Sequence, residues 1–302
     1  MRLATLATAH GTSLALTLGD TFVDITQALL DRGVAAPPRS VTDIVMAGQQ
    51  ELGPFRELVQ GLLGSAPRLP LAQCRVLPPH LPTANVFCVG VNYREHVREG
   101  VDLDPSLAML TEATYFSKDA RSFCGAFDDI AVDPSLTSML DWEVELAVVI
   151  GRPGYRISPD QALEHVFGYT IVNDVSARDL QMARGQWFLG KNLMASSPIG
   201  PYVVTADEID DPQALTLTCS VDGVVKQQAG TSDMVHSVAE LIADLSRFLP
   251  LKAGDVIATG TPAGVGAAGK PPQFLSPGST LVSEISGIGR MQNLVTLRSP
   301  LS

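Results

Sequence analysis

Hydrophobic and polar residues alternate in short runs along most of the chain, and glycine and proline punctuate the runs. Residues 4–26, ATLATAHGTSLALTLGDTFVDIT, read as two or three short strands turning at Gly11 and at Gly19-Asp20. Between residues 41 and 64 the period lengthens. Ile44, Val45, Leu52, Phe55, Leu58, Val59 and Leu62 recur at helical spacing, and Gly53-Pro54 predicts a break into two helices. Pro67, Pro70, Pro78, Pro79 and Pro82 then read as an extended connector. This divides the chain into a small N-terminal α+β domain over 1–75 and a larger domain over 76–302. From Asn85 onward strands dominate: Val86-Phe87-Cys88-Val89, Ile130-Ala131-Val132, Trp142 to Ile150 and Phe167 to Val175. Asp222-Gly223 predicts a two-residue hairpin between Leu215–Val221 and Val224–Lys226. One helix has a full start and stop. Ser237 and Glu240 form a capping box, Leu241, Ile242, Leu245, Phe248 and Leu249 form the apolar face, and Pro250 ends it. Two strands, over 255–259 and 281–285, follow. Many strands with few helices predict an α+β, β-rich sandwich or rolled sheet rather than a doubly wound one.

Composition narrows the function classes. The chain has 302 residues, long enough for a full core. With 21 basic and 32 acidic residues its formal charge is −11, so it lacks the basic footprint of a nucleic-acid or anionic-membrane binder. Cys74, Cys88, Cys124 and Cys219 show neither CxxC pairing nor zinc-site spacing and read as small buried hydrophobes. Apolar runs are too short to span a bilayer, and Thr5, Thr8, His10 and Gly11 break the first one, so no signal peptide is expected. The expected compartment is the reducing cytoplasm.

Chemistry concentrates in a few stretches. In Asp141-Trp142-Glu143-Val144-Glu145, the two glutamates point to one face of a strand, directly before an apolar run. Either they sit solvated at an exposed strand end, or a cation, a shared proton or a pair of basic side chains compensates them. Asp174, after the strand ending near Asn173, offers a third carboxylate, or else a turn-forming acid. Three oxygen donors without nearby His or Cys suit Mg²⁺, Mn²⁺ or Ca²⁺. His96 and Glu99 lie three apart in NYREHVREG, either as an oriented imidazole or as part of a charged surface helix. Lys191 is either a charge-balancing group or plain surface. The loop GTPAGVG over 260–266 allows close backbone approach to a ligand, or is an ordinary tight turn. Its glycines also match phosphate-loop and dinucleotide spacings, but Pro271 and Pro272 stop the helix that both require. No GxSxG elbow occurs.

In order, VGVNYREHVREG, DWEVELAVVIG, VNDVSARDLQ, GQWFLGK, DVIATGTPAGVG and SEISGIGRMQN resemble the fumarylacetoacetate hydrolase family, from about Asn85 to Asn293. The N-terminal segment is similar to the small leading domain of many bacterial members. The resemblance implies a rolled mixed β-sheet, a homodimer, and Mg²⁺ or Mn²⁺ on Glu143, Glu145 and Asp174. It implies a lid carrying His96 and Glu99 as a catalytic pair. It also places Lys191 and Thr261 on a small oxo-acid substrate, with Arg178 and Gln181 supporting or touching it. Two departures stand out: Lys191-Asn192-Leu193-Met194 where relatives often have Lys-x-Phe-Asp, and Asp119 where proline often follows Phe-x-Lys. The activity expected first is hydrolytic C–C cleavage of a 2,4-dioxo, acylpyruvate-like acid through a metal-bound enolate. Isomerisation of a 2-hydroxy-diene-dioate, or decarboxylation of a β-oxo acid such as oxaloacetate, is the alternative at the same site. A non-catalytic oxo-acid binder on the same scaffold is the competing class.

Overall fold

The computed structural model describes residues 1–82, 85–103, 112–183 and 185–298. Its frame is a mixed sheet of 12 strands. Along its main path lie Arg68–Pro70, Thr21–Asp24, Gly11–Leu18, Arg2–Thr8, Ser197–Thr205, Val166–Asn173, Val144–Ile150, Val256–Ala258, Asn85–Gly90 and Thr114–Asp119. Arg75–Leu77 and Phe123–Gly125 pair off this path. A second sheet of five strands packs on it, in the order Val224–Gly230, Thr216–Val221, Thr280–Ile285, Gly289–Leu297, Ile130–Val132. The fold is α+β and β-rich, as the strand pattern predicts.

The central strand Val144–Ile150 is buried along its whole length and feeds two cores. Leu146, Val148 and Ile150 join Leu217, Cys219, Ile285 and Met291 from the five-stranded sheet. Ala147 and Val149 face the other way, toward Leu14, Val23, Val45 and Val59 of the N-terminal region. Alternation along the strand therefore assigns Glu143 and Glu145 to the face shared with Ala147 and Val149.

Three local expectations change. The helical stretch after residue 40 breaks at Gly48, which has φ +96°, and not at Gly53-Pro54. Pro54 sits in the first turn of Leu52–Leu62, where its missing N–H is not needed. The proline-rich segment is not a free connector: Arg68–Pro70 pairs with Thr21–Val23, and Arg75–Leu77 with Thr5–Ala7. The N-terminal strands also continue the large sheet directly, through Arg2↔Val204 and Leu3↔Val203. The helix Val238–Phe248 has the expected capping box. All four cysteines are free. Among the described residues no helix is long and apolar enough to cross a membrane.

Candidate active site

Glu143 and Glu145 flank the first residue of the central strand, and Asp174 follows the last residue of its neighbour. The register Val144↔Asn173 brings these ends together, and Asp174 N donates to Glu143 O at 2.8 Å. Carboxylate oxygens of the three acids lie within 4.8 Å of one another, and all three residues are buried. The solvated strand end is therefore not what the chain builds.

Cations surround two of the three. Lys191 Nζ sits 2.6 Å from Glu143 Oε2 and 2.8 Å from Asp174 Oδ2. Lys118 Nζ, fully buried, lies 2.8 Å from the other Asp174 oxygen. Arg178 spans Glu143 Oε1 at 2.6 Å and Asp141 Oδ2 at 2.8 Å. Burial alone would raise the Glu143 carboxyl, but Lys191 and Arg178 outweigh it and hold it at about 2. Burial lowers Lys191 less than Asp174 and Glu143 raise it, so it stays charged. Glu145 has no ion pair among the described residues. It accepts only from Gly260 N, at 2.9 Å. Burial first, then repulsion from Asp174 and Glu143, pushes its carboxyl well above the usual range. Four carboxylates (Asp141, Glu143, Glu145 and Asp174) thus meet three cations. Three converging hard oxygen donors, one of them lacking a counter-charge, fit a divalent cation.

The helix Arg94–Leu103 places His96 and Glu99 on one face, with Nδ1 3.1 Å from Glu99 Oε2. The other Glu99 oxygen accepts from Gly264 N at 2.9 Å. Glu99 is thus tied to the glycine loop, and a proton on Nδ1 toward Glu99 leaves Nε2 free. Thr261 Oγ1 donates to Val144 O at 3.0 Å and accepts from Gln227 Nε2 at 2.8 Å. Gln181 Oε1 accepts from Arg178 Nη1 at 2.9 Å.

His96, Glu143, Glu145, Arg178, Gln181, Lys191 and Thr261 all line one cavity of about 470 Å³. This is within the range of small-ligand sites. Glu99 stands beside His96, and Asp174 is held behind Lys191. Trp187 and Phe116 supply an aromatic wall, edge to face at 5.5 Å. A Cβ at Gly90 would come within 2.7 Å of the Trp187 ring, so glycine there makes room for the wall.

The sequence reading missed Asp141, Lys118 and Gln227. Asp141 carried a signal, since it lies two before Glu143. Lys118 was singled out only through the residue after it. Gln227, 1% exposed, bonds Val144 N, Thr261 and Pro262 across the two sheets, and nothing local announces that. The glycine loop holds no ligand-binding helix: residues 266–268 form a single 3₁₀ turn.

Comparison with known proteins completes the picture. A family model described as Fumarylacetoacetate (FAA) hydrolase C-terminal matches residues 85–296. The human mitochondrial oxaloacetate tautomerase FAHD2A is 40% identical over 260 residues, 85% of this chain and 80% of that protein. The oxaloacetate tautomerase YisK of Bacillus subtilis is 44% identical over 216 residues, covering 71% and 70%. A solved fumarylacetoacetate hydrolase from Exiguobacterium antarcticum superposes with TM-score 0.84 at 36% identity, covering 99% of this chain and 100% of that one. A maleylpyruvate hydrolase from Sphingobium sp. SYK-6, solved with manganese(II) and pyruvate, superposes with TM-score 0.78 at 27% identity, with coverage of 99% and 100%.

Proposed function

The chain belongs to the fumarylacetoacetate hydrolase family, and from that premise we propose that it is a divalent-metal-dependent enzyme of small 2-oxo acids. Its first activity in this reading is proton transfer between the enol and keto forms of an oxaloacetate-like diacid. Hydrolysis of a 2,4-dioxo acid is the second reading. The sequence puts hydrolysis first, with isomerisation of a 2-hydroxy-diene-dioate or decarboxylation of a β-oxo acid as the alternative, so oxaloacetate tautomerisation is outside both expectations. The relatives of 40% and 44% identity are tautomerases, whereas the maleylpyruvate hydrolase is 27% identical. The observation that carries the proposal is one cavity bordered both by an oriented imidazole and by a carboxylate cluster lacking one positive charge.

In this reading Glu143, Glu145 and Asp174 hold Mg²⁺ or Mn²⁺. The bound ion supplies Lewis acidity to the oxygens of the oxo acid. His96 takes the enol hydroxyl proton on Nε2 and returns a proton to carbon, with Glu99 holding the ring and balancing its charge. Lys191 has three N–H donors and spends two on Glu143 and Asp174. The third would be available to the negative oxygen that develops. Thr261, Gln181 and Arg178 contact or support the substrate carboxylate. In the hydrolytic reading His96 takes a proton from a water that attacks the distal carbonyl; the C–C bond then breaks to release a carboxylic acid and a pyruvate enolate, whose carbon takes that proton back from His96. A homodimer belongs to the same proposal, supported by the family resemblance, and light scattering tests it; a cytoplasmic location is part of it too, supported by the four free cysteines.

The deciding experiment follows the enol absorbance of oxaloacetate and, separately, the products from acylpyruvates, with Mg²⁺ or Mn²⁺. Accelerated loss of enol without carbon–carbon cleavage supports the first reading. Pyruvate plus a carboxylic acid from acylpyruvates supports the second. Mn²⁺ binding with neither reaction would sink both and favour a binding protein. His96→Ala should lower kcat about 10²–10⁴-fold and leave Mn²⁺ affinity intact.

A further inference from the structure

We propose that Asp141 is a positioning residue that couples the carboxylate triad to the His96–Glu99 pair through the glycine loop. The inference rests on the roles proposed above for those groups. The loop over 260–267 turns four backbone N–H groups onto three carboxylates from two segments, the stretch 141–145 and the helix Arg94–Leu103. Gly260 N donates to Glu145 at 2.9 Å and Gly264 N to Glu99 at 2.9 Å. Gly266 N donates to Asp141 Oδ1 at 2.7 Å and Ala267 N to Asp141 Oδ2 at 3.0 Å. The loop therefore binds the protein's own acids where a phosphate-binding loop would bind a ligand.

Asp141 is the junction. It is fully buried and does not line the cavity. Besides the two loop amides it accepts from Trp142 N at 2.8 Å and from Arg178 Nε at 2.8 Å. Arg178 in turn meets Glu143 at 2.6 Å. A continuous path thus runs from Glu143 through Arg178, Asp141 and the loop to Glu99 and His96. The path has little slack. A Cβ on Gly266 would lie 2.7 Å from Asp141 Oδ1 and 2.0 Å from Gln273 O, and Trp142 Nε1 holds Gly264 O at 2.9 Å. Whatever fixes Glu143 also fixes the anchor of Glu99.

Two variants test this, both in the full chain and without any oxo acid. Asp141→Asn sets an amide NH₂ against one pair of N–H donors whichever way it turns. Ala267→Pro deletes one loop donor and leaves Asp141 itself unchanged. Mn²⁺ affinity is read by calorimetry, and amide exchange by mass spectrometry over 94–103 and 260–269. Asp141→Asn should weaken Mn²⁺ binding about 10–100-fold. It should also speed exchange in both segments, with Ala267→Pro giving the same pattern more weakly. In the unmodified protein Mn²⁺ should slow exchange over 94–103, and Asp141→Asn should abolish that response. The proposal is overturned if only 260–269 responds while Mn²⁺ affinity and the 94–103 helix stay unchanged. If Asp141→Asn does not fold, Ala267→Pro decides by the same two readouts. Neither needs turnover, so failure of the proposed reaction leaves the test intact.

Discussion

Glu145 is the residue whose charge state has the widest consequences. Its folded-state pKa is raised above the ordinary 4.5, so above that pH the folded chain keeps a proton that the unfolded chain releases. Stability of the metal-free protein should then fall as pH rises from about 4.5 toward the raised value. Thermal melts across that range check the sign, and Glu145→Gln should flatten the slope. Mn²⁺ must displace the same proton, so calorimetry in buffers of different ionisation enthalpy should show proton release on binding. Lys191 carries the opposite risk. Lys191→Met leaves Glu143 and Asp174 short of a buried cation and should cost about 3–5 kcal/mol in denaturant unfolding. Added Mn²⁺ should recover part of that loss. The glutamate pair was legible because strand parity is local. Asp141 shared that parity, but Lys118 was not legible, because its partner is set by which strands lie together. Lys118 reaches Asp174 from a strand far along the sheet.

Elements with their own boundary chemistry were read well. Val238–Phe248 begins at a Ser237–Glu240 capping box that needs nothing from the rest of the protein. Ser237→Ala should therefore cost about 1 kcal/mol in denaturant unfolding, while Mn²⁺ affinity stays unchanged. Segments whose state depends on a distant partner were read poorly. The prolines around residues 67–82 look like a linker in isolation. Yet Arg68–Pro70 and Arg75–Leu77 become short strands because Thr21–Asp24 and Arg2–Thr8 offer them open edges. Pro54 failed as a breaker for a related reason. Its effect depends on its position in the helix, and the first turn tolerates it.

At the scale of the molecule, we propose that residues 1–75 and 76–302 are two domains sharing one sheet, the second relying on the first. Val203, Ile199, Phe167 and Val149 belong to the core that the N-terminal helices cover. Residues 76–302 alone would expose that apolar face and the open edge of Ser197–Thr205. Soluble yield should collapse, and light scattering should report aggregates. A monodisperse fragment with unchanged Mn²⁺ affinity would show the opposite. The pairing of Arg2–Thr8 with Ser197–Thr205 also sets a clock on biosynthesis. At roughly 5–20 residues per second the first strand waits roughly 10–40 s for its partner to be synthesised. During that interval Gly11–Leu18 covers one side, and Arg75–Leu77 covers Thr5–Ala7 on the other, leaving the Arg2–Leu3 end without its later partner. The nascent chain therefore carries a short open edge at Arg2 and Leu3 through most of its synthesis.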